Sequence, residues 1–154
     1  MNNTSKDIAG VLVALTKAPL PTVDPLNPSI LIPAEKPKYL PLVLGQNLFV
    51  GQEPATPISC VTIFDVPPWW PILCLDGSSG YERPAIQIRV RNPSYETGML
   101  IAQDIVCLLH GKNNFTQAGT DYLGIQCVSS PHLLDWDSNN LSRVIIQFDI
   151  QRRN

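Results

Sequence analysis

Between Ala85 and Gly111 the sequence AIQIRVRNPSYETGMLIAQDIVCLLHG changes its apolar period without a break, and this limits the fold more than any other feature of the chain. In Ala85–Arg91, Ile86, Ile88 and Val90 alternate with Gln87, Arg89 and Arg91, the two-residue period of a strand with one buried face. Asn92 or Ser94 can then cap a helix, Pro93 suits its first turn, and Gly111 stops it after His110. A one-faced strand that runs straight into an apolar helix calls for a sheet closed on one side by helices. The spacing predicts that Ile86, Ile88 and Val90 meet Ile101, Ile105 and Leu108 of that helix.

Upstream, Thr4 or Ser5 can cap a short helix whose apolar positions Ile8, Val11, Leu12 and Leu15 recur at the helical period, with Pro19 and Pro21 beyond it. Ala18 to Gly45 then holds nearly half of the chain's 15 prolines, so neither a helix nor a central strand can run through it. The reading is an extended arm or long loop at 18–45. Its apolar residues, Ile30 to Ile32 and Leu40 to Leu44, argue that it packs on its own domain or on a neighbouring subunit.

Asn47–Gly51 and Ile58–Asp65 read as two strands of a hairpin. The stretch from Val66 to Pro84 reads as a long excursion around Trp69 and Trp70, with a flexible turn at Gly77–Gly80. Tyr122–Ser129 and Ser142–Gln151 are the closing strands, joined by a polar loop. The expected fold is α+β: a mixed, mostly antiparallel sheet of about five strands packed by two helices, plus the proline-rich arm, in a single domain over 1–154.

With 44% hydrophobic and 16% charged residues, the chain is expected to fold and to keep apolar surface for a partner. A net charge of −2, without any basic run, argues against collecting nucleic acid through phosphates. The four cysteines, Cys60, Cys74, Cys107 and Cys127, form no C-x-x-C pair and read as buried thiols of a reducing compartment. No basic leader precedes the first apolar stretch, and Ile8–Leu15 is too short to span a bilayer, so cytoplasmic synthesis is expected.

Chemistry-bearing patterns are sparse. His110 and His132 have no carboxylate or cysteine at a metal-ligand spacing, and no nucleophile elbow, phosphate loop or dinucleotide motif occurs. Asp135 and Asp137 straddle Trp136 without the ligand spacing of a calcium loop, and read as a solvated turn. No catalytic, cofactor-binding or metal-binding residue is expected. Trp69 and Trp70, bounded by prolines, can be a stacking platform or a rigid apolar knob that closes the core or plugs into a neighbour. Arg89 and Arg91 point away from the buried side of their strand. They can form surface ion pairs with Glu82, Glu96 or Asp104, or reach across to another subunit.

The segment ERPAIQIRVRNPSYETGMLIAQDIVCLLHG resembles one found in phage tail-terminator and related minor-capsid (tail completion) proteins: a strand ending in arginine, a turn with tyrosine, and a helix with small residues early and leucine late. NLFVGQEP with CVTIFD is similar to that group's first hairpin, and YLGIQCVSSPHLLDWDSNNLSRVIIQFDIQ to its ending, so the resemblance covers Gln46 to Arg152. Arg91 matches the strand-end arginine, Tyr95 the helix-start tyrosine, and Gly98 and Ala102 the small helix positions. The turn Asn92-Pro93-Ser94 departs from the pattern, where a glycine with a polar residue is usual, and the 18–45 arm is long for the group.

The resemblance implies a non-enzymatic virion protein, assembled in the host cytoplasm, that forms a homo-oligomeric ring, commonly a hexamer, at the head-proximal end of a tail. Such a ring stops tail-tube polymerisation and joins the tail to the neck. Its implied partners are copies of itself, the tail-tube protein and the neck or connector proteins, with no membrane and no sequence-specific nucleic acid. Arg89, Arg91, Tyr95, Trp69 and Trp70 are the expected interface residues. Another neck ring (a stopper or adaptor), or a small module binding single-stranded nucleic acid or glycan through Trp69 and Trp70, are the alternatives.

Overall fold

The computed structural model of the protein describes residues 4–16, 22–23, 31–32, 42–72 and 80–153. Helix α1 (Thr4–Thr16) is followed by two short strands within the arm, β1 (Thr22–Val23) and β2 (Leu31–Ile32), which pair antiparallel with each other. Then come β3 (Leu48–Val50), β4 (Cys60–Ile72), β5 (Tyr81–Asn92), helix α2 (Tyr95–Leu109), β6 (Asn113–Gln117), β7 (Thr120–Trp136) and β8 (Ser142–Arg153). The main sheet has six strands in the order β3-β4-β5-β8-β7-β6. It curls around both helices, and the expected α+β class holds.

The alternation that predicts β5 also sets its packing. Ile86, Ile88 and Val90 are buried, as are their same-face neighbours Val144, Ile146 and Phe148 on β8. Onto this face α2 lays the stripe Gly98, Ala102, Ile105 and Leu109, while Ile101 and Leu108 pack at its flank. Ile8, Val11 and Leu12 of α1 join the same core, with Leu15 at its margin. Ser94 is the N-cap of α2 and its side chain accepts from the Thr97 amide, so Pro93 stands before the cap and not inside the first turn.

The N-terminus of α1 finds its partner across the fold. Asp65 of β4 accepts from the Ser5 amide at 3.0 Å and from the Ser5 hydroxyl at 2.8 Å, the work expected of a local Thr4 or Ser5 cap. Thr4 Oγ1 instead accepts from Arg152, which also donates to Glu82 at 2.6 Å. Tyr122 of β7 donates its hydroxyl to Asp7 at 2.6 Å.

Three strand readings are corrected. β3 and β4 are parallel, with Leu48 opposite Val61, and so do not form a hairpin. A hairpin turn is short, whereas here the chain from Gly51 to Ser59 loops back along the sheet before β4 begins. The supposed excursion after Val66 is partly strand: β4 continues to Ile72 through Pro67, Pro68 and Pro71, with register shifts between Val66 and Trp69 and between Trp69 and Ile72. β3 pairs only as far as Ile63, so this part of β4 is an edge, where missing N–H groups break no ladder. β7 likewise extends past Ser129 to Trp136, absorbing its irregularities as register shifts. β6 is an additional strand, joined to β7 by a turn with positive φ at Ala118 and Gly119.

Candidate functional site

Cross-strand register fixes the two ends of the sheet. At the upper end Cys60 opens β4 opposite Arg91, Arg91 faces Arg143 near the start of β8, and Arg143 faces Asp135 near the end of β7. Because α2 starts directly after β5, its first turn lies at this end, as does the Thr16 end of α1, which is bonded to Leu42. The lower end carries Tyr81, Tyr122 and the last residues of β8.

On the face of the sheet away from the helices, the loop 51–59 is drawn down by Glu53. Its Oε2 accepts from Arg89 at 2.9 Å, and its Oε1 lies 3.3 Å from Arg91 Nη1 and 3.5 Å from Arg143 Nε. Arg91 completes its hydrogen bonding on backbone carbonyls of that loop, donating to Pro54 and Pro57 at 2.7 Å each and more loosely to Ala55 and Ile58. Arg89 also lies over the Phe64 ring, 4.8 Å from its centroid. A carboxylate shared by three guanidinium groups, with its side chain 9% exposed, is a partly desolvated cluster whose members depend on one another.

The expected site residues therefore separate. Arg89 and Arg91 come together, but around Glu53; Glu82 pairs with Arg152. Arg91 does face away from the helices, yet it is only 5% exposed because the loop covers it. Tyr95 opens α2 at the same end and is exposed. Trp69 stands in register with Arg83 on the edge strand, while the side chains of Trp69 and Trp70 lie outside the described residues. Glu53 and Arg143 give no local signal in the sequence, since what defines them is proximity across the sheet.

Apolar exposure is concentrated at the upper end. Of the ten exposed large apolar residues among those described, seven lie there: Val43, Leu44 and Ile58 beside β3 and β4, Tyr95 on α2, and Leu133, Leu134 and Trp136 at the end of β7. A cavity of about 380 Å³ opens at the same end of the sheet, walled by Leu42, Cys60, Val61, Val90 and Ile101. At the lower end a more polar cleft of about 280 Å³ is lined by Arg83, His110, Lys112, Gly124 and Asp149.

The arrangement offers little for catalysis. Burial pushes the Cys60 and Cys127 thiols up, away from the reactive thiolate. Cys107 is exposed on α2, contrary to the expectation of a buried thiol, and Cys74 lies outside the described residues. His110 Nδ1 accepts from the Cys127 amide, and His132 Nδ1 lies 2.8 Å from the Ser130 carbonyl. Asp137 accepts the amides of Asn139 and Leu141, which hold its carboxyl below the usual range and tie the β7–β8 turn. Among the described residues there is no group of three or more metal-ligating side chains, and no helix is long and apolar enough to cross a membrane.

A protein-family model described as "Bacteriophage tail terminator protein" matches residues 38–153. No curated protein sequence matches the chain. Among solved structures, a chain of the "Virion of native gene transfer agent (GTA) particle" aligns with a TM-score of 0.53 and 12% identity, covering 71% of this chain and 81% of that one. At that identity the likeness is one of fold.

Proposed function

Because the chain belongs to the bacteriophage tail terminator family, and is thus a structural protein of the phage tail and its virion, we propose that it forms a closed ring at the head-proximal end of the tail, stops tail-tube polymerisation there and joins the tail to the neck. The observation that carries this reading is the extent of the family match, which takes in β3 to β8 and α2 entire. Ring closure needs two different patches on every subunit. The apolar upper end supplies one of suitable character, with Tyr95 on its surface.

Arg89 and Arg91 contribute to that surface through the 51–59 loop they hold, which presents Ile58. Trp69 and Trp70, on the proline-bounded edge of β4, are the further candidates for contact with a neighbouring chain.

The test is to add the purified protein to its polymerising tail-tube protein and follow tube length by electron microscopy. Shorter tubes carrying a ring at one end are expected, with the mean length falling as the protein is raised. Tubes of unaltered length with bare ends would refute the reading.

A further inference from the structure

We propose that the tip of the β7–β8 hairpin of one copy docks in the lower-end cleft of the next, making this the repeating contact of the ring; the inference rests on the ring reading above. The tip carries Leu133, Leu134 and Trp136, exposed by 37–47%, with Asp135 and Asp137 on either side of the tryptophan. Register places it at one extreme of the hairpin, where Trp136 faces Ser142, and the cleft near the other, where Gly124 faces Gln151. At ~3.3 Å per residue these points are separated by up to about 40 Å along the strand. They therefore cannot meet within one subunit. Pairing between copies is head-to-tail, the heterologous geometry that gives a ring when the rotation from copy to copy closes.

The two surfaces are chemically opposite. In the cleft Arg83 and Lys112 outnumber Asp149, and the Arg83–Asp149 approach is a long 3.6 Å. Arg83 Nε is buried without a hydrogen-bond partner. His110 Nδ1 accepts an amide, so its proton sits on Nε2 and leaves that nitrogen a donor. At the tip the balance is reversed: Asp135 and Asp137 stand against Arg143 alone, which is shared with Glu53. A partly exposed indole flanked by carboxylates fits a donor-rich cleft, with burial of the ring supplying most of the attraction and the charges setting the register.

Native mass spectrometry over a concentration series, alone and with tail-tube protein, tests this using Trp136→Ala, Leu134→Glu as a second tip variant, and Lys112→Glu. All three positions are at least partly exposed, and circular dichroism checks that each variant is folded. Each variant alone is expected to associate at least about tenfold more weakly than wild type. An equimolar mixture of a tip variant with Lys112→Glu is expected to stop at a one-to-one pair, because such a pair holds one intact tip and one intact cleft. Variants that close rings like wild type would overturn this contact and leave the ring reading standing. A mixture that stays monomeric would show that tip and cleft do not face each other. Wild type that never forms a ring, alone or on the tube, would remove both.

Discussion

The Leu42 amide donates to Thr16 Oγ1 across 3.0 Å, so the last residue of α1 is bonded to the far end of the proline-rich stretch. Thr16 also donates to the Leu12 carbonyl, and both Thr16 and Leu42 are buried. Within the arm, Thr22 stands opposite Ile32 and Val23 opposite Leu31. Thr16→Val keeps the shape but leaves a buried N–H without a partner, at a cost of about 1–3 kcal/mol. Thermal unfolding should show a midpoint lowered by about 2–4 °C per kcal/mol, with Thr16→Ser close to wild type. Equal midpoints for Val and Ser would show that the bond does not hold the two segments.

Arg91 joins the 51–59 loop to the sheet. Arg91→Lys replaces a planar fork by a single ammonium that cannot reach four carbonyls and Glu53 together, and Arg91→Ala removes the contact altogether. A loss of about 3 kcal/mol or more is expected for Ala, together with faster proteolytic cleavage within 51–59. An Ala variant with an undisturbed loop but no ring would instead make the arginine a direct subunit contact.

Tyr122 links stability to alkaline pH. Burial, and then its bond to Asp7, push its hydroxyl well above the ordinary value of about 10, so the folded state keeps a proton that the unfolded state gives up. The stabilisation is complete below pH ~10 and falls as pH rises beyond it. Tyr122→Phe keeps the ring stacked on Phe115, costs about 1–3 kcal/mol near neutrality, and should flatten this part of the pH dependence. Identical slopes for wild type and Phe in urea unfolding between pH 9 and 11 (roughly the onset of tyrosine ionisation) would contradict the assignment.

Gly98 faces the sheet but does not need to be glycine. A Cβ there would sit 3.5–3.6 Å from Asn92, Ser142 and Val144, ordinary contact distances. Gly98→Ala should stabilise by about 0.5–1 kcal/mol through helix propensity, whereas Gly98→Leu should destabilise by about 1–3 kcal/mol through overpacking. Chemical denaturation of the two variants decides this, and destabilisation by alanine would mean that helix and sheet sit closer together than these distances.

What was legible in the sequence was what is local. Ile86, Ile88 and Val90, followed by a capped helix, announce themselves through a change of period, and the two-helix, one-sheet class follows from it. The direction of β3 against β4 was not legible, because it depends on a loop held by Arg91 from more than thirty residues away. Nor could Asp65 be recognised as the partner of α1, or Glu53 as the hub of three arginines, since each acts across the sheet. The far half of β4 was hidden for a different reason: proline signals the end of a strand unless that strand has an open side.

That open side has a consequence for assembly. A strand edge is usually a template, offering alternate donors and acceptors to any extended chain that meets it. Beyond Ile63 the outer edge of β4 carries Pro67, Pro68 and Pro71, each without an amide proton, and its register is broken twice. Such a border is a poor template for another strand, since three of its nine residues have no amide to donate. A subunit built this way is guarded along that border against runaway stacking, which leaves recognition there mainly to side chains.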